Sequence, residues 1–341
     1  MGQIRKGEGL GMIKKIYNET DTLVDEALRG AQLLYPDNAE CIPGTRFIVR
    51  REWCRKPKGL VKMVMGGGAG HEGPGLNGIG PGGYDLCIVG DVFAAPSASR
   101  IAQAISEIDD GSPIVLSVTN HAGDVMNTGL AVKMCRAKGI NIERHIIYND
   151  VASAPKGCEK ERRAIIGAYD VTPMMAEWGE SMEDILRVAE KTNLYTRSYG
   201  VGIRSAIHPV TGLPIMPMPD DKIELGIGVH GESSGRQVDM MRSGELAALM
   251  CDEIINDMPL EKGEKVVVKL QGLGGLSWME IYILYGDIYD CLTRKGIEIY
   301  RVSVGNNGTQ ELGGVILSIG KTDEEIRKWM ETGLPSRYTG D

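Results

Sequence analysis

Apolar positions recur along this chain in two rhythms. Compact runs of Val, Ile, Leu and Met at 60–65, 84–92, 113–120, 140–148, 265–270, 297–305 and 315–320 have the length and branching of buried strands. Other segments return apolar residues every three or four positions, which predicts helices. These are 12–34 (Ile16, Leu23, Val24, Ala27, Leu28 and Ala31, with Gly30 near the end), 98–109, 130–139, 159–169, 181–193, 238–257, 276–296 and 323–333. Ser97 or Ser99 is placed to cap the second of them, while Gly139 and Gly296 stop two others. Residues 199–219 carry Pro and Gly at intervals suited to short strands and loops, and 223–232 reads as a strand running into a loop.

Strands alternating with helices predict an α/β protein with sheets covered on both faces. At 341 residues the chain exceeds what one core usually organises. The expected architecture is therefore two α/β domains with mixed, largely parallel sheets. The first, 1–195, carries the Gly-rich run and Asp124; the second, 196–341, carries His230.

Composition narrows the functional classes. A net charge of −8 argues against nucleic acid or an anionic membrane as the main partner, and no run reaches the roughly 18 apolar residues of a membrane span. The basic N-terminus lacks the apolar stretch of a secretory signal, and Lys6 breaks the myristoylation pattern after Gly2. Seven Cys are scattered without a CxxC pair, as expected of reduced thiols in a cytoplasmic protein, and no zinc-ligand spacing appears. No resident metal is expected. With two Phe against 17 Met, the core must rest on aliphatic and Met packing.

The 46 Gly are in excess and cluster in loops, most densely at 66–83. Gly68-Ala-Gly70-His-Glu-Gly73 formally matches a dinucleotide fingerprint, with Asp91 some twenty residues on. That site needs a helix to open at the loop. Here Pro74, Gly75, Gly78, Gly80, Pro81, Gly82 and Gly83 follow, and each interior Gly costs a helix about 1 kcal/mol and each Pro about 3 relative to Ala. A nicotinamide dehydrogenase is the weakest reading. A P-loop fails as well, for want of Gly-Lys-Ser/Thr.

Three predicted strand ends each deliver a polar side chain among small residues: His71, Asp124 and His230. Ligands gather at the carboxyl ends of strands in such sheets. Two imidazoles and a carboxylate there supply a nucleophile, a base and an orienting group. Taken singly, each also fits a structural role, Asp124 in a turn and either His as a hydrogen-bonded loop or core residue.

In order along the chain stand GGGAGHE (66–72), GDVFAAPS (90–97), NHAGDVMNTG (120–129), ELGIGVHGE (224–232), GLGG (272–275), MEIYILY (279–285) and Val304-Gly305-Asn306. This series resembles the substrate-binding K subunit of dihydroxyacetone kinase over almost the whole chain. The resemblance implies that His230 captures a ketone carbon as a covalent hemiaminal, that Asp124 is the base on the hydroxyl to be phosphorylated, and that His71 assists by hydrogen bonding. Gly68, Ala69 and Gly70 would form a backbone cradle.

It further implies a homodimer that binds no nucleotide itself. The phosphoryl donor, ADP or ATP with Mg, would sit on a partner L-type subunit, in some systems recharged by a phosphotransferase-system protein. Departures fall around the substrate. Thr119 stands where the family has a substrate-contacting Lys, His121-Ala122 replaces Tyr-Thr, Gly-Pro-Gly-Leu-Asn follows His-Glu, and Gln271 replaces Asn. They leave open a four-carbon or branched ketose as substrate, or a ketose-binding paralogue that regulates a partner without phosphoryl transfer.

Overall fold

The computed structural model describes residues 15–71, 78–306 and 308–339. The predicted helix start at 12, the basic segment 1–14 and Glu72 to Asn77 of the Gly-rich run, with Gly73 of the fingerprint match, lie outside the described residues. Among those described, twelve strands form two six-stranded sheets. The first contains β1 (Ala39–Cys41), β2 (Phe47–Arg50), β3 (Lys62–Ala69), β4 (Leu86–Val92), β5 (Ile114–Thr119) and β6 (Ile142–Ile147) in the order β1-β2-β4-β3-β5-β6. The second contains β7 (Thr196–Arg204), β8 (Lys222–Leu225), β9 (Arg236–Asp239), β10 (Lys265–Gly272), β11 (Glu298–Asn306) and β12 (Gly313–Lys321) in the order β11-β10-β12-β7-β8-β9.

The α/β class with two mixed sheets holds. In the first sheet β4, β3, β5 and β6 run parallel and only the β1–β2 edge is antiparallel to its neighbours. The second corrects the expectation of largely parallel pairing, since β10–β11 is its one parallel pair. The cause is connection type. A parallel neighbour needs a long crossover, whereas β7, β8 and β9 are joined by segments without a helix and fold back on each other.

Helices cover the sheets through their apolar faces. Ile101 and Ile105 of α2 (Ala98–Ile108) and Ala131 and Cys135 of α3 (Ala122–Ala137) pack on Val64, Ile88 and Leu116. The opposite face, at Val61, Met63 and Val115, meets α4 (Thr172–Trp178), α5 (Met182–Tyr195) and α8 (Glu324–Glu331). On the second sheet Met250 and Ile254 of α6 (Ser243–Asp257) and Ile281 and Ile288 of α7 (Trp278–Arg294) bury Val266, Val268 and Leu317.

Five local expectations change. The helix expected over 238–257 begins only at Ser243, because Arg236–Asp239 pairs with β8 as β9. The first helix, α1, spans Leu23–Leu34, and Gly30 lies inside it. Ser97, not Ser99, caps α2 by accepting from the Arg100 N–H. The helix predicted over 130–139 begins earlier, at Ala122, so that Asp124 lies in a helix rather than a turn. Residues 159–169, read as a helix, hold only a short 3-10 turn at Glu159–Glu161. Their backbone is drawn out by other partners: Asn120 Nδ2 donates to the Lys160 and Arg162 carbonyls, Asn149 Nδ2 to the Ile165 carbonyl, and Arg162 forks onto Asp257 at 2.9 and 2.6 Å.

Candidate active site

The Gly-rich run remains an extended strand through Ala69. A Cβ on Gly66 would lie 2.8 Å from the Ile88 carbonyl oxygen and one on Gly68 2.7 Å from the Ala94 nitrogen, so both glycines admit the neighbouring chain. Gly70, at φ +109°, leaves room for the Phe93 ring. Gly67 has open space where a Cβ would stand and faces a cavity. The cradle expected of Gly68, Ala69 and Gly70 is thus shared differently: Gly68 and Ala69 also line the cavity, while Gly68 and Gly70 serve close packing.

Phe93 holds a left-handed backbone at φ +56°, an unusual conformation for a non-glycine residue. Its ring centroid lies 5.7 Å from that of His71 and 5.1 Å from that of His230. The aromatic ring thus walls the two imidazoles on one side.

His230 sits in a tight turn after β8, bounded by the left-handed Gly226 and Gly231. Glu232 reaches back to accept the His230 backbone N–H at 2.9 Å and to meet its Nδ1 at 2.8 Å. Burial pushes the Glu232 carboxyl up, but the hydrogen bonds and charge of His230 outweigh it and bring it down to about 2. An ionised carboxylate can only accept, so the His230 Nδ1 carries the hydrogen in the neutral ring and Nε2 keeps its lone pair. His71 Nε2 lies 3.1 Å from that Nε2 and donates to it. Burial, then the neighbouring His230, lowers the His71 pKa to about 4, so His71 is a neutral donor near pH 7.

Asp124 stands in the first turn of α3, where the helix dipole favours an anion. Thr119, at the end of β5, donates its hydroxyl to Asp124 Oδ2 at 2.9 Å. Burial raises the Asp124 pKa against the opposing effect of that bond, which makes the carboxylate a better proton acceptor than a free one. His71, Asp124, His230, Thr119, Gly68 and Ala69 all line one cavity of about 490 Å³ between the two sheets. Gly70 does not line it.

The roles of Glu232, His121 and Ala164 to Ile166 in the cavity are set by the fold. Glu232 lies two positions from His230, but its role depends on the turn that Gly231 permits. His121 donates Nε2–H to the Ala164 carbonyl at 2.9 Å, which leaves Nδ1 3.7 Å from Glu232. The half-extended stretch Ala164 to Ile166 lines the cavity because it is not helical. The expectation that no metal-ligating cluster exists needs one correction. His121, His230 and Glu232 bring ligand atoms within 4.8 Å of one another, a grouping that linear spacing could not show. Among the described residues no helix is long and apolar enough to cross a membrane.

The Dak1 domain family matches residues 29–335. The chain is 32% identical over 94% of its length to the dihydroxyacetone-binding subunit DhaK of PTS-dependent dihydroxyacetone kinase 1 from Listeria innocua, and covers 97% of that protein. It is 31% identical to D-erythrulose kinase of Mycolicibacterium smegmatis over 92% of its own length, and spans 54% of that longer relative. Among solved structures, native dihydroxyacetone kinase of C. freundii superimposes with a TM-score of 0.84 at 28% identity, over 95% of this chain and 59% of that one. The chain therefore belongs to the Dak1 family of dihydroxyacetone kinase substrate-binding (K) subunits.

Proposed function

We propose that this chain captures a short ketose on His230 and presents its hydroxyl for phosphorylation by a partner subunit. The observation that carries this is the shared cavity, in which His230 Nε2 keeps a lone pair while Asp124 lines the same space. In the capture step the Nε2 lone pair bonds to the ketone carbon and the carbonyl π pair moves to oxygen. The His230 Nδ1 proton passes by way of Glu232 to that oxygen, which leaves a neutral hemiaminal on an N-substituted imidazole. His71 Nε2–H, released from His230, hydrogen bonds to the same oxygen as negative charge develops there.

In the transfer step Asp124 accepts the proton of the terminal hydroxyl as that oxygen attacks phosphorus. Thr119 holds the carboxylate through Oδ2, and Oδ1 is the oxygen offered to substrate. The donor nucleotide and its Mg belong to an L-type partner, consistent with PTS-dependent relatives named for their dihydroxyacetone-binding subunits. A cavity of this volume is in the range that holds ligands larger than a triose, and relatives named for erythrulose make a four-carbon ketose an equal candidate.

Crystals soaked with three- to five-carbon ketoses test the capture. Electron density continuous from the His230 ring into the sugar is expected for at least one of them. A bare ring with every ketose would remove the proposal. Adding an L-type subunit and donor then separates a kinase from a regulatory paralogue: binding without turnover would favour the regulator.

A further inference from the structure

The cavity carries a cation that the chemistry above does not use. Lys269 of β10 lines it, as does Gln271 two positions on and hence on the same face of the strand. Other buried cations of this protein are matched: Lys56 to Asp85, Arg50 to Glu177 and Arg162 to Asp257. The Lys269 ammonium has no hydrogen bond or ion pair among the described residues. Burial lowers its pKa, and it forms no ion pair with Asp124 or Glu232 although all three line the same space. A half-buried ammonium is poorly solvated and gains most from an anion brought to it. Met65, Val89 and Ile166 give the same cavity apolar walls.

Resting on the capture reading, we propose that Lys269 forms an anion subsite and that the preferred substrate is a ketose bearing an anionic group remote from its carbonyl. Phosphate and carboxylate share the chemistry a lone ammonium recognises. The substrate is then longer than a triose, with its ketone at His230 and its anion at β10. Upstream chemistry would have to be a reaction that leaves a ketone and an anionic terminus on one short chain.

Calorimetry on the intact chain tests this with ribulose as neutral reference, and with ribulose 5-phosphate and a ketoaldonate as anionic probes. Wild type should bind at least one anionic probe roughly tenfold or more tightly than ribulose, as one charge-assisted contact allows. In Lys269→Met that ratio should fall to about one, and Lys269→Arg should keep it if the fold is intact. A gain for ribulose 5-phosphate alone identifies phosphate, and a gain for the ketoaldonate alone identifies carboxylate. A wild-type ratio near one, or a ratio that persists in Lys269→Met, overturns the inference. Density on His230 with neutral ketoses but no anion preference would sink this subsite alone. Anion preference without any adduct would sink the capture reading instead.

Discussion

Glu232 determines what His230 can do, because it selects the ring tautomer whose Nε2 is free to attack. Replacing it by Gln removes the fixed negative charge that holds the Nδ1 proton and balances the imidazolium formed on attack. Glu232→Gln should therefore slow ketose capture by roughly ten- to a hundredfold, in line with other orienting partners, as read by stopped-flow binding. His230→Ala should abolish capture and leave Tm near wild type, since the ring is only half-buried in a loop.

Asp124 illustrates a cost of function. Its folded pKa lies above the 3.8 of a free Asp, so the native state holds the proton more tightly and loses stability as pH rises through these values. Asp124→Asn should raise Tm at pH 7 by roughly 1–3 °C while lowering phosphoryl transfer at least about a hundredfold. His71 runs in the other sense. With a folded pKa near 4 against 6.5 unfolded, its neutral form stabilises the native state above pH 6.5, and this is lost as pH falls towards 4. A His71→Asn variant should show a flatter stability profile in that window by urea titration.

Strands and helices place these side chains, and the glycines of β3 show how closely the backbone is specified. Gly68→Ala would force a methyl against the Ala94 backbone and should cost about 1–3 kcal/mol in urea unfolding. Gly67→Ala meets open space and should leave stability near wild type while narrowing the cavity. The same elements show what the amino-acid order reveals. The strand runs at 60–65 and 113–120 are legible because contiguous Val, Ile, Leu and Met leave little alternative to a buried strand, whereas the extension of β3 through Gly66 to Ala69 is not, since glycines read as loop.

Asp124 stands out in the sequence as a candidate but not as a helix residue, because Gly123 and Asn127 are poor helix formers and packing against the sheet overrides that preference. The segment 159–169 has helical periodicity, yet Asn120, Asn149 and Asp257, distant in sequence, bind its backbone and Arg162. Glu232 and His121 gained their roles from a left-handed glycine turn and a carbonyl contributed by Ala164, which no local pattern encodes.

At the level of the whole molecule, the segment that lines the cavity is fastened to the second sheet and its helix through charge as well as packing. Asp257 at the end of α6 takes Arg162 from the cavity-lining segment and Arg197 from β7, with all three side chains at most a tenth exposed. Asp257→Asn leaves two buried guanidiniums unmatched and should cost about 3–5 kcal/mol, read by urea unfolding. Ketose affinity should fall with it, because Ala164 and Ile166 would lose their anchor. Trp329 of α8 returns from the second half of the chain to pack on the core of the first sheet, beside Met63 of β3 and Val115 of β5.

The central claim is that one imidazole bonds to the substrate carbon, and a carbon-13 spectrum of ketone-labelled dihydroxyacetone or erythrulose bound to the protein addresses it directly. For wild type the labelled carbon should move from the carbonyl region to that of a tetrahedral carbon bearing nitrogen, and His230→Ala should leave it a carbonyl. A bound ketose whose labelled carbon stays trigonal in wild type, as in the variant, would contradict the account.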